Sequence, residues 1–304
     1  MSSSEPVDGG SELPDLVCRL ENAQGIVDTL TSVRWKKHQD ALVEISEHGI
    51  VLVVEESGCL QAKVYLKKEL FYVYDYGARG RTRFGLGLGL FVDCLNSFTV
   101  PGGSFDIEIR YPGPDMQLMI KAVDSPDMCI YAEIRTRIPE TFSWDHDFET
   151  AGNAPICFTV KSAVLKEAID DLEWPGSGIQ IVLNPDPPSV TLRGEGHGDL
   201  QIDFLYYAST DLLNSFQCDH QVSYRYKYKF LHATTSNIPA SVIKDNRASR
   251  LTIGRGGILK VQHLVSVVRQ GHAHGDPVGC QQVGRIAYIE FYVKPEEDVD
   301  TEAG

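Results

Sequence analysis

Most of this chain alternates apolar and polar residues in short runs, broken by a few stretches whose apolar residues recur every three or four positions. Leu16 to Leu20 reads as a strand, and Asn22 then caps a helix whose Ile26, Leu30 and Val33 share one face. Two strands follow, Ala41 to Ser46 and Ile50 to Glu55, joined at His48-Gly49. The same plan returns about 140 residues later. Ile156 to Val160 is the strand, and Lys161 to Trp174 is the helix, with Leu165, Ala168, Ile169 and Leu172 as its buried stripe and Pro175-Gly176 as its stop. Ile179 to Leu183 and Ser189 to Arg193 are the two strands, joined through Pro185-Asp186-Pro187-Pro188.

The next strand opens alike in both halves, Gly58-Cys59-Leu60-Gln61-Ala62 against Gly198-Asp199-Leu200-Gln201-Ile202. The offset then pairs Arg81 to Leu88 with Tyr224 to Phe230, and the helix Leu90 to Phe98 with Leu231 to Asn237. A closer textual match, Asp93 to Phe98 against Asp211 to Phe216, would require deleting a strand and is set aside. Period-two strands complete each half: Ser104 to Tyr111, Met116 to Val123 and Met128 to Arg137, then Arg250 to Ile253, Leu259 to Val268 and Ile286 to Val293. The expectation is an α+β chain of two similar domains, 13–137 and 156–294, each with two helices packed on antiparallel sheets. Residues 138–155 form an acidic connector carrying Phe142, Trp144 and Phe148, with a polar tail at 1–12 and an acidic one at 295–304.

Charge narrows the function classes. With 28 basic and 42 acidic residues the net charge is −14, which argues against a surface that coats nucleic acid or anionic membrane as a whole. No run of 18 apolar residues and no leader-like segment occurs, so the chain is expected in the nucleus or cytosol. Seven cysteines without a C-x-x-C pair, most in apolar runs, point to reduced thiols rather than to zinc or a disulfide framework.

Several strings resemble a known family. Gly58 to Ala62 with Tyr65-Leu66, Phe84 to Leu95 with its Asp93-Cys94-Leu95, Ala208 to Gln217 with Tyr224 to Lys227, and Gly257 to Gln262 continuing to Ile289 to Val293 are similar to the eukaryotic sliding clamps, specifically the Rad-one subunits of the heterotrimeric checkpoint clamp, the nine-one-one ring. The likeness spans about residues 13 to 298. It implies the DNA-clamp fold, one third of a ring around double-stranded DNA, with an ATP-dependent loader, two other clamp subunits, and repair and checkpoint proteins as partners. It also implies a nuclear location and neither cofactor nor membrane. A homotrimeric replication clamp and a metal-dependent 3′–5′ exonuclease are the alternatives.

That resemblance places candidate sites. The basic residues nearest the inner helices are Arg34, Lys36, Lys37, Lys161, Lys166 and Lys229, with Arg81 and Arg83 ahead of another helix; they are either phosphate contacts or ordinary solvated charges. The helix Leu90 to Phe98 carries no Lys or Arg. Ring closure falls to the edge strands, with Met128, Ile130 and Ile134 in one half and Leu200, Ile202 and Phe204 in the other. A partner-docking face would combine Ile45 and the turn to His48 with Phe142, Trp144, Phe148, Tyr292 and Pro295, unless the aromatics only glue the connector to its own domain. Enzyme signatures are weak. The Gly85 to Gly89 run lacks the third glycine of a dinucleotide loop, no Walker A string occurs, and His272-Ala273-His274 reads as a hairpin tip. Asp106 and Glu108 share a strand face as a two-metal nuclease would need, but Arg110 shares it too. Tyr224 to Lys229 reads as a half-buried strand rather than a base-stacking platform.

Overall fold

The computed structural model describes residues 14–77, 80–99, 105–125, 128–139, 144, 148, 155–174, 178–207, 211–267 and 285–297. The first half runs β1 (Leu16–Leu20), α1 (Gln24–Thr31), β2 (Asp40–Ser46), β3 (Gly49–Glu56), β4 (Leu60–Lys67), β5 (Val73–Tyr76), β6 (Arg83–Gly87), α2 (Leu88–Asn96), β7 (Asp106–Tyr111), β8 (Leu118–Ser125) and β9 (Met128–Ile134). The second runs β10 (Ile156–Lys161), α3 (Ser162–Asp171), β11 (Gly178–Pro185), β12 (Pro188–Glu195), β13 (Asp199–Leu205), β14 (Leu213–Gln217), β15 (Val222–Lys227), α4 (Tyr228–Ala233), α5 (Ala240–Lys244), β16 (Ala248–Ile253), β17 (Leu259–Val267) and β18 (Arg285–Val293).

Four details differ from the sequence reading. Both second helices start two or three residues earlier than expected, at Leu88 and Tyr228, so the Tyr224 to Lys229 run is strand as far as Lys227 and helix from Tyr228. The second half also carries α5, a third, single-turn helix. The short strands β5 and β14 were not anticipated; they pair with β1 and β10 and correspond to each other at the repeat offset. Asn22 caps α1 from one residue further out, its Oδ1 accepting the Gln24 N–H at 2.7 Å while Ala23 holds the cap position. The discarded textual match is structurally unequal, since 93–98 ends a helix and 211–216 enters a strand.

The sheets follow from this repeat. A five-stranded sheet, β5-β1-β7-β8-β9, belongs to the first half, and a four-stranded one, β13-β12-β11-β15, to the second. A nine-stranded sheet, β14-β10-β16-β17-β18-β4-β3-β2-β6, joins the counterparts of both. Its seam is the antiparallel pairing of β18 with β4, from Tyr288 opposite Tyr65 to Val293 opposite Leu60. Alternation puts Ala62, Val64, Ile289 and Phe291 into the core there and Lys63, Tyr65 and Glu290 on the other side. The helices pack in pairs, α1 on α2 and α3 on α4. Helix α1 also crosses the far half at Gly25, where a Cβ would stand 2.5 Å from Val267 Cγ1, so only glycine permits that approach.

One buried polar chain ties the second half together. His263 is fully enclosed; its Nε2–H donates to the Thr234 carbonyl at 2.8 Å, and its Nδ1 accepts from Ser249 Oγ at 2.8 Å. Ser249 in turn lies 2.7 Å from Ser162 at the start of α3. Burial lowers the imidazole pKa to about 4, partly opposed by the Thr234 bond. The unfolded chain therefore takes up a proton between about pH 6.5 and pH 4 that the native chain refuses, so stability is full above that window and falls through it. Over the range the loss is on the order of 3 kcal/mol. Urea unfolding from pH 7 to pH 4 is expected to show that much more acid destabilisation in the wild type than in His263→Gln; equal slopes would refute the buried neutral imidazole.

Candidate functional site

Of the strands that end a sheet, β9 and β13 are the ones equivalent by the repeat to the internally paired β18 and β4, and each is paired on one side only among the described residues. On β9, Met128, Ile130 and Tyr131 are exposed, Tyr131 at 64%. On β13, Leu200 and Ile202 are half-buried and Leu205 is exposed, with Tyr206 and Tyr207 beyond it. Ile134 and Phe204 are corrections to the expected interface set. At 2% and 7% exposure they face their own cores, because alternation carries the last inward position of each strand under the sheet.

A second surface forms where β18 leaves the sheet. The Lys294 N–H donates to the Cys59 carbonyl at 2.9 Å, and Arg225 Nε donates to Glu296 at 3.0 Å, pinning the segment around Pro295 to both halves. Connector aromatics lie on it: Trp144 Nε1–H donates to Glu55 at 3.0 Å, Lys294 sits 4.6 Å from the Trp144 ring, and Lys260 sits 4.6 Å from the Phe148 ring. Phe148 meets Tyr292 at 5.8 Å between ring centroids. Tyr292 is itself buried and donates to Glu290 at 2.6 Å, as Tyr65 does at 2.9 Å and Gln262 at 2.7 Å. Burial first, then the bond to Glu290 and its charge, push the Tyr292 phenol well above its usual pKa. Tyr292 thus anchors the connector rather than facing a partner.

Ile45 is a further correction. It is 3% exposed and lies beside the β2–β3 turn, whereas Trp144 of the connector and Lys294 after β18 meet the opposite end of β3, at Glu55 and Cys59. Phe142 lies outside the described residues. Where the chain leaves β9, an open cavity of about 350 Å³ is lined by Leu42, Val53, Glu55, Arg137, Ile138 and the buried Gln39. Glu55, Lys260 and Lys294 were missed in the sequence, which gives no sign of which turn faces the connector.

Most of the expected phosphate contacts are already paired. Arg34 meets Asp93 at 2.6 Å, Lys36 meets Glu56 at 2.5 Å, Arg83 meets Glu44 at 2.5 Å and Lys166 meets Asp170 at 2.7 Å; Lys161 is 3.7 Å from Asp211. Lys37, Arg81 and Lys229 are exposed and make no ion pair among the described residues. The structure brings Arg34, Lys36 and Lys229 into one groove at the seam between the halves, around Glu56 and Leu60. Burial alone would raise the Glu56 carboxyl, but hydrogen bonds from Lys36 and Ser57 and the charges of Lys36 and Lys229 hold it below its ordinary value. Exposed acids, Asp28, Asp93, Glu167 and Asp171, outnumber exposed bases on α1 to α4.

The nuclease carboxylates are committed elsewhere. Asp106 accepts from the Tyr72 hydroxyl, and Glu108 is held by Arg19 at 2.6 Å and Arg110 at 3.1 Å. No group of three metal-ligating side chains occurs among the described residues, and His272 and His274 lie outside them.

This architecture, a twice-repeated α+β unit fused through one sheet, is that of a sliding clamp. The chain superposes on the proliferating cellular nuclear antigen of Entamoeba histolytica with a TM-score of 0.68 at 12% identity, covering 94% of this chain and all of that one. It superposes on that of Thermococcus kodakaraensis with a TM-score of 0.67 at 13% identity, over 92% of this chain and 100% of that one. A family model described as repair protein Rad1/Rec1/Rad17 matches residues 15–265, and the chain belongs to that family. It is 26% identical to the cell cycle checkpoint protein RAD1 of Mus musculus and 25% identical to that of Homo sapiens, covering 93% of each chain in both cases. It is 20% identical to the DNA repair protein Rad1 of Drosophila melanogaster over 78% of this chain and 86% of the relative.

The connector's anchoring yields a measurable expectation. In a Trp144→Ala Phe148→Ala double variant, amide protons of 138–155 should exchange at least about tenfold faster while those of β10 stay protected. Unchanged connector exchange would show that these rings do not hold it.

Proposed function

We propose that this chain is one third of a heterotrimeric ring that encloses double-stranded DNA and serves as a platform for repair and checkpoint proteins. One observation carries the reading. Inside the chain, β18 joins β4 to complete a nine-stranded sheet, while the equivalent strands β9 and β13 are left open on a five-stranded and a four-stranded sheet. A neighbour that joins β9 to its own β13-like strand repeats the internal seam, and repetition closes a ring. The two halves, 13–137 and 156–294, then act as clamp domains joined by the shared sheet and the connector, and the names of the relatives support a checkpoint and DNA-repair role, for which the nucleus is the place of action.

DNA is held by enclosure rather than by affinity. Ion pairing leaves Lys37, Arg81 and Lys229 as the main uncompensated cations, and Arg34 and Lys36 contribute beside Lys229 at the seam. The engagement of Asp106 and Glu108 supports a non-enzymatic subunit whose loader and clients supply the chemistry. Partners dock on the connector surface around Trp144, Phe148 and Pro295, beside the cavity at Val53 and Ile138.

Native mass spectrometry of the tagged chain from nuclear extract is expected to show a complex with one copy of this chain and two different neighbours; a stable monomer would overturn the ring. On linear DNA, a Lys37→Glu Lys229→Glu variant should flatten the dependence of log affinity on log salt by about 2. Loss of retention on closed circular DNA as large as that on linear DNA would contradict holding by enclosure.

A further inference from the structure

The internal seam shows what a closed joint in this protein is made of, and the open edge at β13 lacks one side of it. On the helix side of the internal seam, Trp35, four residues after α1, packs on Phe291 of β18 with ring centroids 6.4 Å apart. Its neighbours Arg34 and Lys36 are basic, and Lys36 is answered by Glu56 at 2.5 Å. The corresponding residue of the second half is Trp174, three residues after α3. Trp174 meets no strand beyond the edge strand β13 and is 56% exposed. It is nevertheless held in place, since its ring lies over Gly198 so closely that a Cβ there would be 2.7 Å from Cζ3.

Around Trp174 the charge is reversed. With Leu200 and Ile202 of β13 it lines a cleft of about 600 Å³ whose remaining walls are Asp170, Asp171 and Glu173. Asp170 is answered by Lys166 and His232, but Asp171 and Glu173 are exposed and have no ion-pair partner among the described residues. A second copy of this chain would bring β9 to this place. On their helix side, β9 residues Met128, Ile130 and Ala132 offer neither an aromatic ring nor a base. The only charged side chain on α2, which packs on β9, is Asp93. Lys121 lies on the other face of the sheet, over the Tyr131 ring, and Arg135 lies past the end of the strand.

We propose that the β13 edge and the Trp174 cleft seat a different clamp subunit, one whose edge strand presents a large apolar or aromatic side chain to Trp174 and whose flanking residues bring lysine or arginine to Asp171 and Glu173. The proposal rests on the ring reading above. The sheet edge supplies the backbone pairing, about 23 Å of it over seven residues. Trp174 supplies the buried anchor of the joint, and the acids determine which neighbour is accepted.

The test uses the full chain with its natural neighbours, read by native mass spectrometry. An Asp171→Lys Glu173→Lys variant should cut the fraction of intact three-chain ring at least tenfold, leaving this chain bound to one neighbour. Trp174→Ala, which keeps the acids, should release the same neighbour. Ile130→Asp on β9 should release the other one. All four positions are exposed, and unchanged thermal unfolding of the isolated variants separates a lost joint from a lost fold. An intact ring in both β13-side variants, or loss of the same neighbour from the β9 variant, overturns the assignment while leaving the ring in place. A wild-type homotrimer overturns it as well, since a second copy would then fit. A wild-type monomer overturns the ring reading and this inference with it.

Discussion

One antiparallel ladder, six residue pairs between β18 and β4, determines what the rest of this molecule can be. Each half alone is two or three helices on two incomplete sheets. Pairing across the seam converts one sheet from each half into a single nine-stranded sheet, with Phe291 and Ile289 meeting Ala62 and Val64 below it. Above it, Glu290 gathers hydroxyl and amide donors from Tyr65, Tyr292 and Gln262. The ladder also fixes the two helix pairs relative to each other, helped by the close approach of Gly25 to Val267. Backbone hydrogen bonds are the appropriate material for such a joint, because they fix register and direction while side chains remain free to decide identity.

Electrostatics then follows from the enclosure. A net charge of −14 would oppose binding to a polyanion if the whole surface took part. The helices carry more exposed acids than bases, and the nearby cations are mostly spent on carboxylates of their own chain. The proposed ring tolerates this, since the hold of a closed ring on DNA is topological and low affinity favours sliding. Of the candidate cations left without an ion pair, Lys229 lies in the seam groove, beside the Lys36–Glu56 pair.

How much of this could be read in advance varied with the range of the interaction involved. Strands with strict alternation, such as Leu60–Lys67 and Leu259–Val267, and the helix stripe of Leu165, Ala168 and Ile169 were legible because their signal is local. The repeat supplied the rest of the order. Strands β5 and β14 were not legible, being only four and five residues long with little alternation, and they exist because β1 and β10 offer them an edge. The site was harder. Arg34 finds Asp93 and Arg83 finds Glu44 across gaps that no spacing rule anticipates, so a list of basic residues could not become a list of free ones. Ile45 failed for a related reason: the run β2-β3-β4 has two turns at opposite ends of β3, and sequence does not say which one the connector crosses.

Open edges carry a cost that explains the asymmetry between them. A strand edge invites any other strand, and monomeric proteins blunt it with proline, lysine or a covering loop. Within β9 there is neither lysine nor proline, and its Met128, Ile130 and Tyr131 are exposed, as expected of a surface meant to be covered. The second edge, β13, is guarded by Asp199 and Asp203 on one side of its sheet and by Asp171 and Glu173 beside Trp174 on the other. Those acids leave the backbone free to pair, yet penalise a strand that arrives without positive charge. In the proposed ring, where unlike neighbours join the two ends, this combination is what is needed: one edge adhesive and nearly neutral, the other adhesive only to the correct partner. The repeat gives the open β13 edge the same place in its half as β4 has at the internal seam, and in the proposed ring the changed side chains around one tryptophan give it a different partner.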